Sequence, residues 1–449
     1  MCKIKKCLLL ILHNFAVLRG SFQHFLAEYQ ANRAGTPPAV LLSITQINAK
    51  IEGEYFMKYT ALEMPKSGDT VVVGMSGGVD STLTAFMLKE KGCRVIGVTM
   101  ALWDNSIPEL KKEGHAIKDA CYSPHEKDDI AACEKFCAEQ GIEYHVVHVE
   151  DEYKKNVLEY FKSEYRNGRT PNPCIRCNRY IKFGALLDGI EKLGIKYDYF
   201  CTGHYAKIVR PDDGIFGSDK RPAMIATALD VSKDQTYFLN RIPSDTLEKV
   251  RFPLASMKKS EVFELARRSG LKAAEKKESQ DFIGEEYFDL LFADKPSVSG
   301  DIIDLDGHVL GRHKGIEHYT VGQRKGLGIA MSYPVYVHSI DAKNNVVVLA
   351  PNSALNSKAL IADDFAWPSN IEPSEKFSAS VKIRLASKPV ECTVEKYFPQ
   401  DDDKTSYKGQ PYLITFKDEQ RAVAPGQSAV LYIGDVICGG GYIVKPIHS

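Results

Sequence analysis

The chain has 449 residues, with 58 Lys and Arg balanced against 58 Asp and Glu. That length holds two or three domains, and zero formal charge confines any nucleic-acid surface to a local patch. Eleven cysteines in so long a chain do not make a secreted disulfide framework; they suggest a reducing compartment with thiols spare for chemistry or metal.

The first stretch differs from the rest. Met1 to Lys6 is basic and Cys7 to Leu18 apolar, which imitates a signal peptide, but no small-residue cleavage site clearly follows and the run is too short to span a bilayer. Residues 1–65 are expected to be an extension, disordered or not native, with Met57 and Met64 at its end; a targeting peptide is the other reading.

From residue 66 to about 285 the text alternates strand and helix. Val71–Val73 is a strand, Ser81–Lys89 a helix, Arg94–Met100 a strand, His125–Gln140 a helix and Glu143–Val149 a strand. Glu152–Tyr165 and Asn178–Leu193 are helical, and Tyr197–Cys201 is a further strand. Such alternation means right-handed crossovers and a parallel sheet covered on both faces, with ligands beyond the carboxyl ends of its strands. After a last helix at Lys259–Ser269 the style becomes β-rich. Asp306-Gly307 and Lys343-Asn344-Asn345 sit between strand pairs as hairpin signals, so residues 286–358 read as a small central domain. Residues 359–449, with strands at Ser378–Arg384, Tyr412–Phe416 and Ser428–Ile433, suit a closed or nearly closed barrel. Gly439-Gly440-Gly441 reads as a bulge or tight bend, and Asp401-Asp402-Asp403-Lys404 as a solvated loop.

Two segments carry chemistry. The first, VVVGMSGGVDS from Val71 to Ser81, is a strand, a turn of Gly74, Ser76, Gly77 and Gly78, and a helix start. Backbone N–H groups at a helix N-terminus form a phosphate cradle. It is not a Walker loop, because no G-x-x-x-x-G-K-[ST] spacing follows. The pattern S-G-G-x-D-S resembles the PP-loop of the ATP pyrophosphatases. The second is GRTPNPCIRCNRYIKF, from Gly168 to Phe183. Pro171 and Pro173 make a rigid extended approach. Cys177, expected just ahead of a helix and beside Arg176 and Arg179, is expected to be pushed toward thiolate. With Cys174 it forms C-x-x-C, open to three readings: a redox pair, metal ligands, or one nucleophile with a bystander. Arg166, Arg169, Arg176, Arg179 and Lys182 are expected to meet phosphates. His313 and His318 read as loop histidines, and Trp103 as packing.

These segments recur in order with Thr202-Gly203-His204-Tyr205, Lys233-Asp234-Gln235, the run TVGQRKGLG from Thr320, and Pro425-Gly426-Gln427-Ser428-Ala429-Val430. Together they resemble the tRNA-specific 2-thiouridylase family, from residue 69 to 445. The resemblance implies a PP-loop domain (adenine nucleotide alpha hydrolase-like), a central domain and a tRNA-binding barrel. It implies a cytoplasmic enzyme using ATP and Mg²⁺ to thiolate the wobble uridine in the anticodon stem-loop of tRNAs of the Lys, Glu and Gln type. A persulfide donor such as a cysteine desulfurase relay would supply the sulfur, with no membrane partner. ATP would be held by Gly74, Met75, Ser76, Gly77, Gly78, Val79, Asp80, Ser81, Met100 and Gly203, with Asp80 also catalytic. Asn172, Pro173 and Cys174 would lie against the target base, and Cys177 matches the nucleophile. His204, Lys233, Asp234, Gln235, Arg384, Leu385 and Gln427 fall at positions that touch tRNA.

Two departures stand out. Many members of the family have Asp where this chain has Cys174. They also carry a second catalytic cysteine in a segment like S-x-x-I-C-F-I-G, which here reads Ser279-Gln280-Asp281-Phe282-Ile283-Gly284 without the Ile-Cys. Either Cys174 replaces the missing partner, or Cys174 and Cys177 join Cys121, Cys133, Cys137 or Cys201 around an iron–sulfur cluster with one open iron. An adenylating amidotransferase of the same superfamily and a catalytically silent tRNA-binding relative are the alternatives. The first lacks a glutaminase domain and leaves Cys177 without a task.

Overall fold

The protein is described from a computed structural model at residues 57–104, 121–275, 282–283, 288–401, 403 and 405–449. The segment 279–281 and Gly284, at which the second cysteine of the family is missing, lies outside these residues, as does the expected extension up to residue 56. Strand β1 (Tyr59–Ala61) pairs antiparallel with β6 (Lys207–Pro211). The expected boundary at residue 65 is therefore corrected: the residues just before it already belong to a sheet.

A five-stranded parallel sheet carries the first half. It runs in the order β4 (Glu143–His148), β3 (Arg94–Ala101), β2 (Thr70–Gly74), β5 (Tyr199–Cys201), β8 (Val250–Arg251). The central strand is Val71-Val72-Val73, all fully buried. Alternation sends Val72 into the core on one face and Val71 with Val73 into the core on the other. That is why this strand reads as an unbroken β-branched run. Helix α1 (Val79–Glu90) leaves the carboxyl end of β2, and α2 (Lys259–Arg268) packs against it through Val262 and Ala266.

The central sheet has the order β10 (Val309–His313), β9 (Gly300–Ile303), β12 (Val346–Pro351), β11 (Val335–Asp341), with both hairpins antiparallel and β9 parallel to β12. His313 is buried, accepting from the Gly315 N–H and meeting the Asn345 carbonyl at 3.0 Å.

The last domain is a closed barrel. Strands β13 (Asn356–Ala366), β16 (Tyr412–Arg421), β15 (Val390–Lys396), β14 (Phe377–Lys382), β17 (Ser428–Ile433) and β18 (Val436–His448) pair in that circular order, and β17 pairs with β18 to close it. From β18 the sheet continues outward through β7 (Met224–Ala226) to β6 and β1. Strands of the first domain thus extend the sheet of the last. Where β17 pairs with β18 the register shifts between Leu431 and Tyr432, beside the glycine run. A Cβ on Gly440 would sit 2.3 Å from the Asn240 amide oxygen, so a bare backbone lets the barrel approach the first domain here.

The loop at Asp401 is corrected from simple solvation. Asp403 accepts from the Tyr407 hydroxyl at 2.7 Å, Lys445 at 2.9 Å and the Tyr397 hydroxyl at 3.1 Å. Hydrogen bonds from Thr405, Lys445 and Tyr407 hold its carboxyl far below the ordinary range. Among the described residues no helix is long and apolar enough to cross a membrane.

Candidate active site

The phosphate loop is built by local bonds. The Met75 N–H donates to Val98 O at 2.8 Å, and the Ser76 N–H to the Ser81 hydroxyl at 3.2 Å. Ser81 and Thr82 hydroxyls both donate to Gly78 O, at 3.1 and 2.9 Å. Gly77 turns through φ +71°, a conformation that favours glycine. Gly78 caps α1 with no side-chain bond. Among the described residues the amides of Gly77, Gly78, Val79 and Asp80 find no acceptor, which leaves an anion cradle at the positive end of the helix. Met100 lies near the end of the neighbouring strand β3, and Gly203 just past β5. A Cβ on Gly203 would fall 2.7 Å from the Asp80 main chain, so only glycine seats this turn against the loop. The ATP-binding residues named from sequence are thereby gathered at the carboxyl ends of three adjacent strands.

Sequence reading missed the partner of Asp80. Lys259 on α2 reaches both carboxylate oxygens, at 2.8 and 2.7 Å, and the Tyr205 hydroxyl donates to one at 3.0 Å. The pair is separated by 179 residues, and no local pattern announces it.

The cysteine segment departs from expectation in three ways. The helix begins at Pro173 rather than Asn178: it runs over 173–192, as Pro173–Arg176, a π-type stretch Cys177–Ala185, and Leu186–Lys192. Asn172 caps it, its side-chain oxygen accepting from the Ile175 N–H at 3.3 Å, with proline at the first helical position where no N–H is needed. Cys177 is therefore inside the helix, not ahead of it. Second, burial pushes its thiol up to about 12 and that of Cys174 to about 11. Desolvation of the charged form outweighs the helix end. Third, the arginines are engaged. Arg176 lies 4.3 Å from the Tyr160 and Tyr180 ring centroids and donates to Asn156 O. Arg166 pairs with Asp294 at 3.0 Å, and Arg169 pairs with Glu164. The cation that does lower the Cys177 and Cys174 thiols is Lys182. A π-type turn bonds residues five apart, which returns Lys182 above Cys177.

A short chain of neighbours links loop and thiol. Gly203 rests on Asp80; the next residue, His204, has its ring 5.9 Å from Phe183 and 5.5 Å from Phe252. Burial first, and Lys182 second, hold His204 far below its ordinary value, so the imidazole is neutral. The Lys182 charge thus bears on the imidazole beside the loop and on the two thiols.

Of the four cysteines considered as a third thiol, Cys121 is the one on the side of the pair: its neighbour Tyr122 stacks on Tyr153, whose turn packs on the stretch that begins at Cys177. Cys133, Cys137 and Cys201 are buried in the core cluster on the face of Val71 and Val73. The residues matched to tRNA contacts are mostly tied inward. The Thr202 hydroxyl and His204 Nδ1 are 2.7 Å apart, Gln235 accepts from the Tyr205 N–H at 2.9 Å, and Asp234 accepts from the Thr236 hydroxyl at 2.6 Å. Arg384 donates to Arg421 O at 3.0 Å. Gln427 donates to Thr170 O at 2.9 Å, while the Thr170 N–H donates to Pro425 O at 2.8 Å. The barrel turn thus clamps the approach to the cysteine helix. Lys233 and Leu385 are exposed.

Three family models match in succession: the tRNA methyl transferase HUP domain over residues 69–285, the tRNA methyl transferase PRC-barrel domain over 289–351, and the aminomethyltransferase beta-barrel domain over 357–443. The chain is 41% identical over 376 residues to a tRNA-specific 2-thiouridylase MnmA of Endomicrobium trichonymphae, covering 83% of this chain and 98% of that one. It is 40% identical over 386 residues to the protein of the same name from Geobacter metallireducens, covering 84% and 97%. Among solved structures, a U34-tRNA thiolase from Methanococcus maripaludis with its four-iron cluster aligns over 51% of this chain and 64% of its own. Its 22% identity and TM-score of 0.29 are too slight to carry an argument.

Proposed function

The chain belongs to the tRNA-specific 2-thiouridylase family, and we propose that it replaces the C2 oxygen of a wobble uridine in tRNA with sulfur, in an ATP-dependent reaction. The observation that carries this is the join between the two chemical segments: Gly203 is seated on Asp80 of the phosphate loop, and the next residue, His204, meets Phe183 of the cysteine helix.

Uracil O2 is a poor leaving group until adenylated. ATP in the Gly74–Ser81 loop, flanked by Met100 and Gly203, would present its α-phosphorus to that oxygen. The open amides would stabilise charge on the departing pyrophosphate. Mg²⁺ suits the same loop, where the Asp80 carboxylate and the Ser76 and Ser81 hydroxyls supply hard oxygen donors; the metal would neutralise phosphate charge. Asn172, Pro173 and Cys174 lie on the capped first turn beside Cys177 and would border the flipped base. Cys177, carrying a persulfide, would attack C2 and expel AMP. A persulfide is more acidic than a thiol, so sulfur loading relieves the protonation that burial enforces on the bare cysteine.

For tRNA, Lys233 and Leu385 offer surface, while His204, Asp234, Gln235, Arg384 and Gln427 shape the walls behind it. The substrates would be tRNAs of the Lys, Glu and Gln type, the sulfur donor a cysteine desulfurase relay, and the place of action the cytoplasm. A second reading has one specific observation behind it. Cys174 and Cys177 share one helical turn, and the neighbour of Cys121, Tyr122, stacks on the tyrosine packed against it; three such thiols would make a donor set for an iron–sulfur cluster with one iron left open. Such a cluster would supply an iron site for sulfide.

The test is ATP–pyrophosphate exchange with unmodified tRNA, followed by mass spectrometry of the wobble nucleoside. Exchange and a 2-thiolated product are expected. Tight tRNA binding without exchange would leave only a silent tRNA-binding protein. Iron and sulfide assays on protein purified without oxygen decide the cluster, which a colourless, iron-free, active enzyme excludes.

A further inference from the structure

The residue before Cys177, expected from sequence to meet phosphate, is caged instead. The Arg176 guanidinium lies 4.3 Å from the ring centroid of Tyr180, one turn along its own helix, and 4.3 Å from that of Tyr160 on the neighbouring helix. Its Nε donates to Asn156 O at 3.1 Å. Behind Tyr160 stands Tyr442 of barrel strand β18, 6.2 Å between ring centroids, with Arg241 4.5 Å over the Tyr442 ring. A guanidinium between aromatic faces is held by its plane as well as by its charge. Arg176 thus ties the turn that leads into Cys177 to a second helix and, through Tyr160, to the barrel.

The two helices it joins share an irregularity. The neighbouring one runs Glu150–Tyr153, a π-type stretch Lys154–Leu158, then Glu159–Arg166, and the Glu159 N–H bonds to Lys154 O, five residues back. The cysteine helix widens over Cys177–Ala185, where the Leu186 N–H bonds to Ile181 O, again five back. The two wide stretches pack on each other, and Asn156, whose carbonyl Arg176 grips, belongs to the first. Wide turns of this kind are rare and recur at functional sites.

The register decides what stands over the thiol. In an α-helix the side chain above Cys177 would belong to the fourth residue along, Ile181; in the wide turn it belongs to the fifth, Lys182. Ile181 is fully buried in the apolar core instead. The Lys182 charge is the one that lowers the Cys177 thiol, although Arg176 is adjacent in sequence.

We propose that Arg176 is a positioning residue for the nucleophile: locked between Tyr160 and Tyr180, it holds the wide turn that sets Lys182, rather than Ile181, over Cys177. This deepens the thiolation reading above, in which Cys177 carries the sulfur. The guanidinium acts through the turn and not by its own charge on the thiol.

The experiment follows alkylation of Cys177 by iodoacetamide in the full chain at one fixed pH, read by peptide mapping. Arg176→Met is expected to slow it several-fold, about as much as Lys182→Gln. The double variant is expected to be no slower than Lys182→Gln alone, because both changes remove the same interaction. Arg176→Lys keeps the charge but not the plane and is expected to behave as Arg176→Met. Tyr160→Leu takes away one wall without altering the cysteine helix and is expected to slow the reaction in the same direction, which keeps the test open should Arg176→Met fail to fold. In single turnovers Arg176→Met is expected to lower the rate of thiolation and leave the affinity for tRNA unchanged. Faster alkylation would mean that the cage only shields the thiol, and additive slowing in the double variant that Arg176 acts apart from Lys182; either overturns the proposal. So would full reactivity of Arg176→Lys with weaker tRNA binding by Arg176→Met, which returns the residue to a phosphate contact. Alkylation needs neither ATP nor tRNA, so the two claims fail separately: no ATP–pyrophosphate exchange in the unaltered chain sinks the thiolation reading and leaves the register result standing.

Discussion

The phosphate loop and the cysteine helix both open at a helix N-terminus next to glycine or proline, yet they hold their chemistry by opposite means. In the loop the working groups are backbone amides, and neighbours within five residues set their direction: Ser76 on Ser81, Ser81 and Thr82 on Gly78. In the helix the working group is a thiol whose charge is governed by what lies around it in space. There burial against the core that holds Tyr153 and Ile175 outweighs both the helix end and the charge of Lys182. An amide cradle needs only the right turn. A nucleophile needs an environment, and here that environment keeps it protonated until sulfur is loaded or Lys182 is brought to bear.

The largest expected effect comes from removing the nucleophile. Cys177→Ala should abolish the thiolated nucleoside in tRNA, read by mass spectrometry of wobble uridines from cells carrying the variant; unchanged thiolation would take Cys177 out of the comparison. On the loop side, Asp80→Asn takes the carboxylate from the nearly buried Lys259. Loss of one member of such a pair costs up to about 3 kcal/mol. A lower midpoint of chemical denaturation, together with loss of exchange, is expected. The double variant with Lys259→Met should recover stability but not exchange.

A smaller effect joins the two regions. Gln427→Ala removes the bond to Thr170 O, worth roughly 1 kcal/mol. The cysteine approach should loosen, lowering kcat of thiolation more than the affinity for tRNA. An equal fall in both would return Gln427 to a direct tRNA contact.

The smallest effect concerns charge. Lys182→Gln removes the cation that lowers the Cys177 thiol. Alkylation of Cys177 by iodoacetamide should slow, and its pH midpoint should rise. The sign for stability follows from the same shift. The folded-state value is about 12, against roughly 8.5 in an unfolded chain. The folded chain therefore holds its proton where the unfolded one has lost it. That stabilisation is complete below the lower value and is lost as pH rises through the interval. Denaturation midpoints should fall across it, and less steeply in Cys177→Ser.

Much of the architecture was legible from residues alone. The Val71–Val73 run marked a doubly covered central strand, and the Asp306-Gly307 turn marked its hairpin. Strands β1, β6, β7, β8, β13, β15 and β18 were not read. In β13 and β18 the pairing is interrupted by bulges, and β18 also meets the first domain where Gly440 approaches Asn240. The candidate site divides in the same way. Its phosphate loop could be read from spacing because it is made of backbone, and glycine and serine at set intervals dictate where backbone amides point.

The sequence by itself determined the order of domains, the cradle and the identity of the thiols. Tertiary structure alone decided that Asp80 would meet Lys259, that Arg176 would be caged by tyrosines, and that Gln427 would clamp Thr170. The reason is range. Turn geometry is settled by residues a few positions apart, whereas desolvation and ion pairing depend on groups that only the folded chain brings within a few ångströms.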